Sequence, residues 1–282
     1  MKPPFAYYGG KTRFAPWIAS LLPTHQVYVE PFAGSAAVLF AKSPATHEIL
    51  NDLDGNVVNF YRQLREHPEA LELACRLTPY SRDEYLAADF DEAGIDDLER
   101  ARRWWCRSTQ AFGQSASDVT GWSISTNQNT PRMSQLTRRI ERFAMVAERL
   151  RHVFIENLPA EDVIARYVDD PRAVLYLDPP YLDSTRAALG QYWHEMGDEA
   201  AHRSLAAAVG VARATVIVSG YASPLYDEDL FAGWHRAERA AGSRHGNGKG
   251  VPVDGNRLGR KVEVLWSNRP LNDGRLPLEG VS

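Results

Sequence analysis

Short apolar runs and longer amphipathic stretches take turns along most of this chain. The short runs are Val27 to Glu30, His47 to Asp52, His152 to Glu156, Ala173 to Leu177, Ala214 to Ser219, Trp234 to Ala240 and Lys261 to Trp266, apolar in the main save for His47 to Asp52 and Trp234 to Ala240. Each is too short for a stable lone helix, and the pattern reads as strands bounded by turns. Val174-Leu175-Tyr176-Leu177 shows no polar alternation, the mark of a strand buried on both faces of a parallel sheet. Helical periodicity covers Phe14 to Leu22, Val38 to Ala41, Asn56 to Leu64 and Ser204 to Val211. The alternation predicts an α/β fold around a mostly parallel sheet, closed by a pair of strands at its end.

Between about Glu66 and Arg151 the strand signal stops. Helical stretches recur there at Glu69 to Arg76, Arg82 to Ala88, Asp96 to Phe112 and Ser134 to Leu150, around the polar segment Gly113 to Pro131. This predicts residues 66–151 as a mainly helical insertion between two parts of a sheet domain, 1–65 and 152–270, with a tail at 271–282. Charge divides the insertion: Asp83 to Glu99 is acidic, and Arg100, Arg102, Arg103, Arg107, Arg132, Arg138, Arg139, Arg142, Arg149 and Arg151 make the rest basic. Arginines among Trp104, Trp105, Phe112 and Trp122 suit a surface that meets DNA phosphates and base edges. They suit equally a solvated helix face over buried tryptophans. A second basic stretch, Ala241 to Arg260, is long and glycine-rich and carries Arg244 and Lys249. It reads as a loop that orders on DNA or as a slack hairpin connection.

Composition adds bounds rather than direction. The 282 residues suffice for one large α/β domain with an insertion or for two modest domains, and 44% hydrophobic with 24% charged residues describe a globular chain. A formal net charge of -4 leaves nucleic-acid binding to local basic patches. Cys75 and Cys106 lack the spacing of a zinc site and read as reduced thiols. No apolar run approaches a membrane span, and Met1-Lys2-Pro3-Pro4 does not lead into a signal-peptide core, so residence in the cytoplasm is expected.

The chemistry concentrates where the strand Ala173 to Leu177 runs into Asp178-Pro179-Pro180-Tyr181. Open α/β sheets place ligands at the carboxyl ends of their strands. The two prolines stiffen the turn, so the Asp178 carboxylate and the Pro179 carbonyl form converging acceptors beside an aromatic ring. A planar group bearing NH2, such as a nucleobase amine drawn out of its stack, fits them. Asp and Pro also build ordinary turns, yet this tetrapeptide should arise by chance in roughly one chain in a thousand of this length. Gly9-Gly10-Lys11 reads as a helix entry or as a close approach of backbone and cation to a ligand. The strand Val27 to Glu30, its turn Pro31 to Ala37, and the next strand ending at Asp52 form half of a nucleotide-type βαβ unit. Asp52 lies at the spacing of a ribose-binding acid, or caps the helix after it. Ala36, standing where a pyrophosphate loop wants glycine, favours a cofactor without phosphates.

Together, Tyr7-Tyr8-Gly9-Gly10-Lys11, Val29-Glu30-Pro31-Phe32-Ala33-Gly34-Ser35, Asn51-Asp52 and Asp178-Pro179-Pro180-Tyr181 resemble the Dam-type DNA adenine N6-methyltransferases, in the alpha-group order of motifs. The resemblance covers most of residues 5–64 and 152–267 and is weak in the insertion. It implies a Rossmann-like, S-adenosylmethionine-dependent methyltransferase fold, a seven-stranded sheet with one antiparallel strand, and an inserted DNA-recognition domain. It implies that Tyr7 and Lys11 contact S-adenosylmethionine, Lys11 near the methionine carboxylate. Glu30, Phe32 and Gly34 would line the methionine, Asp52 would take the ribose hydroxyls, and Glu156 would lie near the cofactor's adenine. Asp178, with Pro179 and Pro180, would face the target amine and the cofactor, and Tyr181 would stack on the flipped base. Arg103, Arg107, Arg132, Arg138, Arg244 and Lys249 are the expected DNA contacts, double-stranded DNA the expected partner, and no metal is required. A cognate restriction endonuclease stays open. The rival readings are a cytosine N4-methyltransferase, an RNA or protein-glutamine methyltransferase, and a non-catalytic DNA-binding regulator. Nucleoside analysis of treated DNA separates the first, and cofactor binding separates the last.

Overall fold

The computed structural model describes residues 1–5, 7, 9–111, 121–123, 132–182, 198–240 and 262–272. Its strands are β1 (Val27–Glu30), β2 (His47–Asn51), β3 (Val153–Glu156), β4 (Ala173–Leu177), β5 (Thr215–Gly220), β6 (His235–Ala240) and β7 (Val262–Ser267). Its α-helices are α1 (Ala15–Leu21), α2 (Ala37–Ala41), α3 (Gly55–Glu66), α4 (Pro68–Leu77), α5 (Arg82–Ala87), α6 (Asp97–Gln110), α7 (Arg132–Ile140), α8 (Phe143–Leu150), α9 (Ala160–Tyr167) and α10 (Glu199–Val209).

The strands form one seven-stranded sheet in the order β3-β2-β1-β4-β5-β7-β6. β7 alone runs against its neighbours β5 and β6, and the remaining pairs are parallel. This is the expected sheet with its one antiparallel strand. Every residue of β1 and β4 is buried because helices cover both faces, which is why these strands are apolar without alternation. The period of two still sorts their side chains. Tyr28, Leu50, Tyr176, Ile217 and Leu265 face one core, whereas Val29, Ile49, Leu175, Val218 and Val264 face the other.

The first core is the larger, because the inserted helices join it. Trp104 and Trp105 of α6 are 1% exposed, and Trp104 stands edge-on to Phe5 at 4.8 Å and packs on Phe60 of α3 at 5.5 Å. Phe143 of α8 closes the cluster against Trp105 and Phe60. These tryptophans are therefore core pillars and not part of a DNA-facing surface. The stretch Ser134 to Leu150, expected as one helix, divides into α7 and α8, where the N–H of Arg142 bonds the Arg139 carbonyl in a tightened turn. Cys75 and Cys106 are buried free thiols, held protonated by burial. Among the described residues no helix is long and apolar enough to cross a membrane.

Candidate active site

Strand order reverses between β1 and β4, so the chains leaving β1, β2 and β4 diverge and open a crevice at their carboxyl ends. A cavity of about 230 Å³ lies there. Tyr7, Lys11, Glu30, Phe32, Gly34, Asp52, Asp178 and Pro180 all line it, although they come from four separate stretches of sequence. Pro179 and Tyr181, both buried, are not among the lining residues.

Asp178 follows the last residue of β4, and its side chain is 18% exposed. Lys11, 5% exposed, places its Nζ 2.8 Å from Asp178 Oδ1. The same ammonium donates to the Tyr181 hydroxyl and to the Gly9 carbonyl at 3.3 Å, and lies 4.4 Å from the centre of the Tyr181 ring. Lys11 thus lines the cavity while paired with Asp178 and Tyr181. Tyr181 in turn donates to Glu263 Oε1 at 2.8 Å, and its ring meets Tyr221 edge-on at 4.5 Å. Burial raises the Asp178 carboxyl above the usual aspartate range, with the Lys11 charge pulling against it.

Glu30 ends β1 and is 2% exposed. Burial pushes its carboxyl up to about 8, although the Tyr28 hydroxyl and the Leu39 N–H both donate to Oε2. The turn after β1 then doubles back at Gly34, whose φ is +46°. A Cβ there would sit 2.9 Å from Tyr7 Cδ1, so only glycine lets the Tyr7 ring close over the turn. The Gly34 N–H donates to Asp52 Oδ2 at 2.7 Å, and the Asp54 N–H donates to Oδ1 at 2.9 Å. Burial lifts Asp52 to about 7, the two backbone donors opposing. The cap of α3 is Asp54, which accepts from the Asn56 N–H at 2.9 Å. The cap is one of two readings for Asp52, which instead lines the cavity.

Other expectations part from the structure. Glu156 does not line the cavity, because Arg166 holds its carboxylate at 3.0 Å. Arg103 is enclosed by Glu99 at 2.7 Å, by Glu92 and by the Asp89 carbonyl, which uses its charge inside the protein. Arg107 donates to the Tyr85 carbonyl and lies over the Tyr85 ring at 4.5 Å. Arg138 is exposed on α7 and makes no ion pair among the described residues. Arg132 begins α7, whereas Arg244, Lys249 and Phe112 lie outside the described residues. Sequence reasoning missed Ala201, Leu53, Asp54 and Pro159 to Glu161, which also line the cavity. The latter start α9, and Pro159 followed by Glu161 and Asp162 in the first turn was the available helix-start signal. It also missed Glu263, which no motif marks.

A family profile for D12 class N6 adenine-specific DNA methyltransferases matches residues 7–234. The chain is 26% identical over 243 residues to the type II methyltransferase M1.LlaDCHI of Lactococcus lactis subsp. cremoris, an alignment covering 81% of this chain and 84% of that protein. It is 36% identical over 102 residues to the DNA N-6-adenine-methyltransferase of Escherichia phage P1, covering 34% of this chain and 13% of that protein. The profile spans every cavity-lining residue described above and most of the chain, and the chain belongs to the D12 class N6 adenine-specific DNA methyltransferase family.

Proposed function

We propose that the cavity binds S-adenosylmethionine and that Asp178 holds the amino group of an extruded adenine at its edge. The observation that carries this is the convergence of Asp178, Asp52 and Glu30, from the ends of three strands, on one cavity. Its lining fits a cationic ligand, because Glu30, Asp52, Asp54, Glu161 and Asp178 outnumber the single ammonium of Lys11, itself spent on Asp178. Asp52, fixed by two backbone donors, keeps acceptor positions for the ribose hydroxyls. Tyr7 and Phe32 supply apolar walls. When bound, the cofactor supplies an electrophilic methyl group on a sulfonium.

Adenine's amino nitrogen is a poor nucleophile because its lone pair is delocalised into the ring. Asp178 and the Pro179 carbonyl, accepting its two N–H bonds, draw it toward a tetrahedral shape with the lone pair directed into the cavity. Positioning and electrostatics then carry most of the rate. Lys11 favours the charged, accepting form of Asp178 against its burial. Asp178 takes no proton beforehand, since the amine becomes acidic only once methylated. Residues 66–151 serve target recognition, with Arg138 as the contact on α7 best placed for phosphate, and Arg82, exposed and 5.4 Å from the Trp122 ring, as a second candidate.

Incubation with S-adenosylmethionine and double-stranded DNA, followed by mass analysis of released nucleosides, tests the reading. N6-methyladenine is expected from the parent protein and none from Asp178→Ala. N4-methylcytosine, or parental activity in Asp178→Ala, overturns it.

A further inference from the structure

Glu263 is a carboxylate at the second position of the mostly apolar strand β7, 2% exposed and followed by Val264, Leu265 and Trp266. The register of β7 sets Glu263 opposite Arg239 of β6, but Arg239 is exposed, lies 5.9 Å from the Trp17 ring and forms no ion pair with Glu263 among the described residues, so the cross-strand pair does not account for the buried acid. A buried carboxylate persists only when its lone pairs are satisfied. Among the described residues, the hydrogen-bond and ion-pair partners of Glu263 lie toward the active site. Its Oε1 accepts from the Tyr181 hydroxyl at 2.8 Å and from Ser219 Oγ of β5 at 2.6 Å, and stands 3.5 Å from Lys11 Nζ. Tyr181 therefore accepts from Lys11 and donates to Glu263, and a continuous chain runs from Asp178 through Lys11 and Tyr181 to β7.

We propose that Glu263 is a positioning residue for methyl transfer, anchoring the Tyr181 hydroxyl and sharing the Lys11 ammonium so that Asp178 keeps acceptor capacity for the target amine. The proposal rests on the reading that Asp178 holds that amine. Lys11 lies between two carboxylates, closer to Asp178 at 2.8 Å than to Glu263 at 3.5 Å. Removing the Glu263 charge leaves the ammonium to Asp178 alone, which tightens that pair and makes Asp178 compete less well for the amine. It also removes a like charge that raises the affinity of Asp178 for a proton.

The test is steady-state kinetics of Glu263→Gln and Tyr181→Phe, singly and together, against pH, with the folded fraction measured by circular dichroism. For Glu263→Gln, kcat should fall about tenfold with little change in KM for DNA, a split that marks loss at the chemical step, and the acid limb of the kcat profile should move to lower pH. The double variant should be little worse than the weaker single one, because both act through one chain of bonds. A parental kcat, losses that multiply independently, or a fall matching the folded fraction with the acid limb unmoved would each overturn the proposal. Should Glu263→Gln not fold, Tyr181→Phe decides, and parental kcat without the hydroxyl overturns it. Asp178→Asn is assayed in parallel, since full activity there removes the underlying reading instead of the role of Glu263.

Discussion

At Gly34 the backbone takes a left-handed turn because the chain must reverse over Asp52 while leaving room for Tyr7. Gly34→Ala would add about 1–2 kcal/mol of strain for a left-handed residue and push its Cβ into a side chain that lines the cavity. Calorimetry should show affinity for S-adenosylmethionine reduced about tenfold, with a lowered melting temperature; unchanged affinity would mean that the Tyr7 ring does not touch the cofactor. Ala36 also lies at positive φ, 49°, in the left-handed region that favours glycine. It is buried, so its methyl recovers part of the strain by packing. At Asp178 the charge matters beyond the shape. Asp178→Asn keeps one carbonyl acceptor but loses the ion pair with Lys11, and methylation measured by tritium transfer should drop by about 10²–10³, the range for removing one preorganised electrostatic group. A loss under threefold would show that a neutral acceptor suffices.

Among the elements, β1 and β4 were legible because burial on both faces leaves runs without polar alternation, and β2 because its Ile49-Leu50 step runs into an acid; the site residue is the last of β1, Glu30, and the first after β2 and β4, Asp52 and Asp178. Helix α9 was not legible, since its eight residues bury only Ala160, Val163 and Ile164, too few for a visible period. The role of Glu263 was hidden for another reason: its partner Tyr181 lies 82 positions away, and the pairing of β4 with β5 and of β5 with β7 brings the two together. Helix α6 held a signal that was available and unused. Glu99 and Arg103 are four residues apart on one helical face, a spacing that predicts an internal ion pair. Arg103 and Arg138 should therefore behave differently. Arg138→Ala, on the exposed face of α7, should weaken DNA binding and reduce the slope of log affinity against log salt by about 0.9, the value for one lost phosphate contact. Arg103→Ala should leave that slope unchanged and instead cost about 0.5–1 kcal/mol of stability through Glu99 and Glu92. Fluorescence anisotropy over a salt series would separate them, and a slope change in Arg103→Ala would return that arginine to the DNA surface.

Taken as a whole, the molecule concentrates its costly buried acids at one place. Burial raises Glu30 to about 8, Asp52 to about 7 and Asp178 in the same direction. In each case the folded protein holds the proton more tightly than the unfolded chain does. The stability they confer is fully present below the ordinary carboxylate range and drains away as pH rises through about 7 and 8. The ion-paired Glu99 and Asp170, both held at about 2, act oppositely but only in acid, losing their contribution as pH falls below the ordinary carboxylate range. His25, pushed down by burial, opposes the decline only at the acid end, near its ordinary value of 6.5. The melting temperature of the cofactor-free protein should therefore fall between pH 6.5 and 8. A ligand carrying positive charge into the cavity favours the ionised carboxylates, so it binds more tightly as they lose their protons and displaces those that remain. Saturating S-adenosylmethionine should flatten the fall, and its affinity should rise across the same interval. S-adenosylhomocysteine, which lacks the sulfonium charge, should gain much less. Thermal denaturation at a series of pH values with each compound gives both slopes in one experiment. Equal slopes for the two would show that the acids around the cavity serve its architecture and not the charge of the methyl donor.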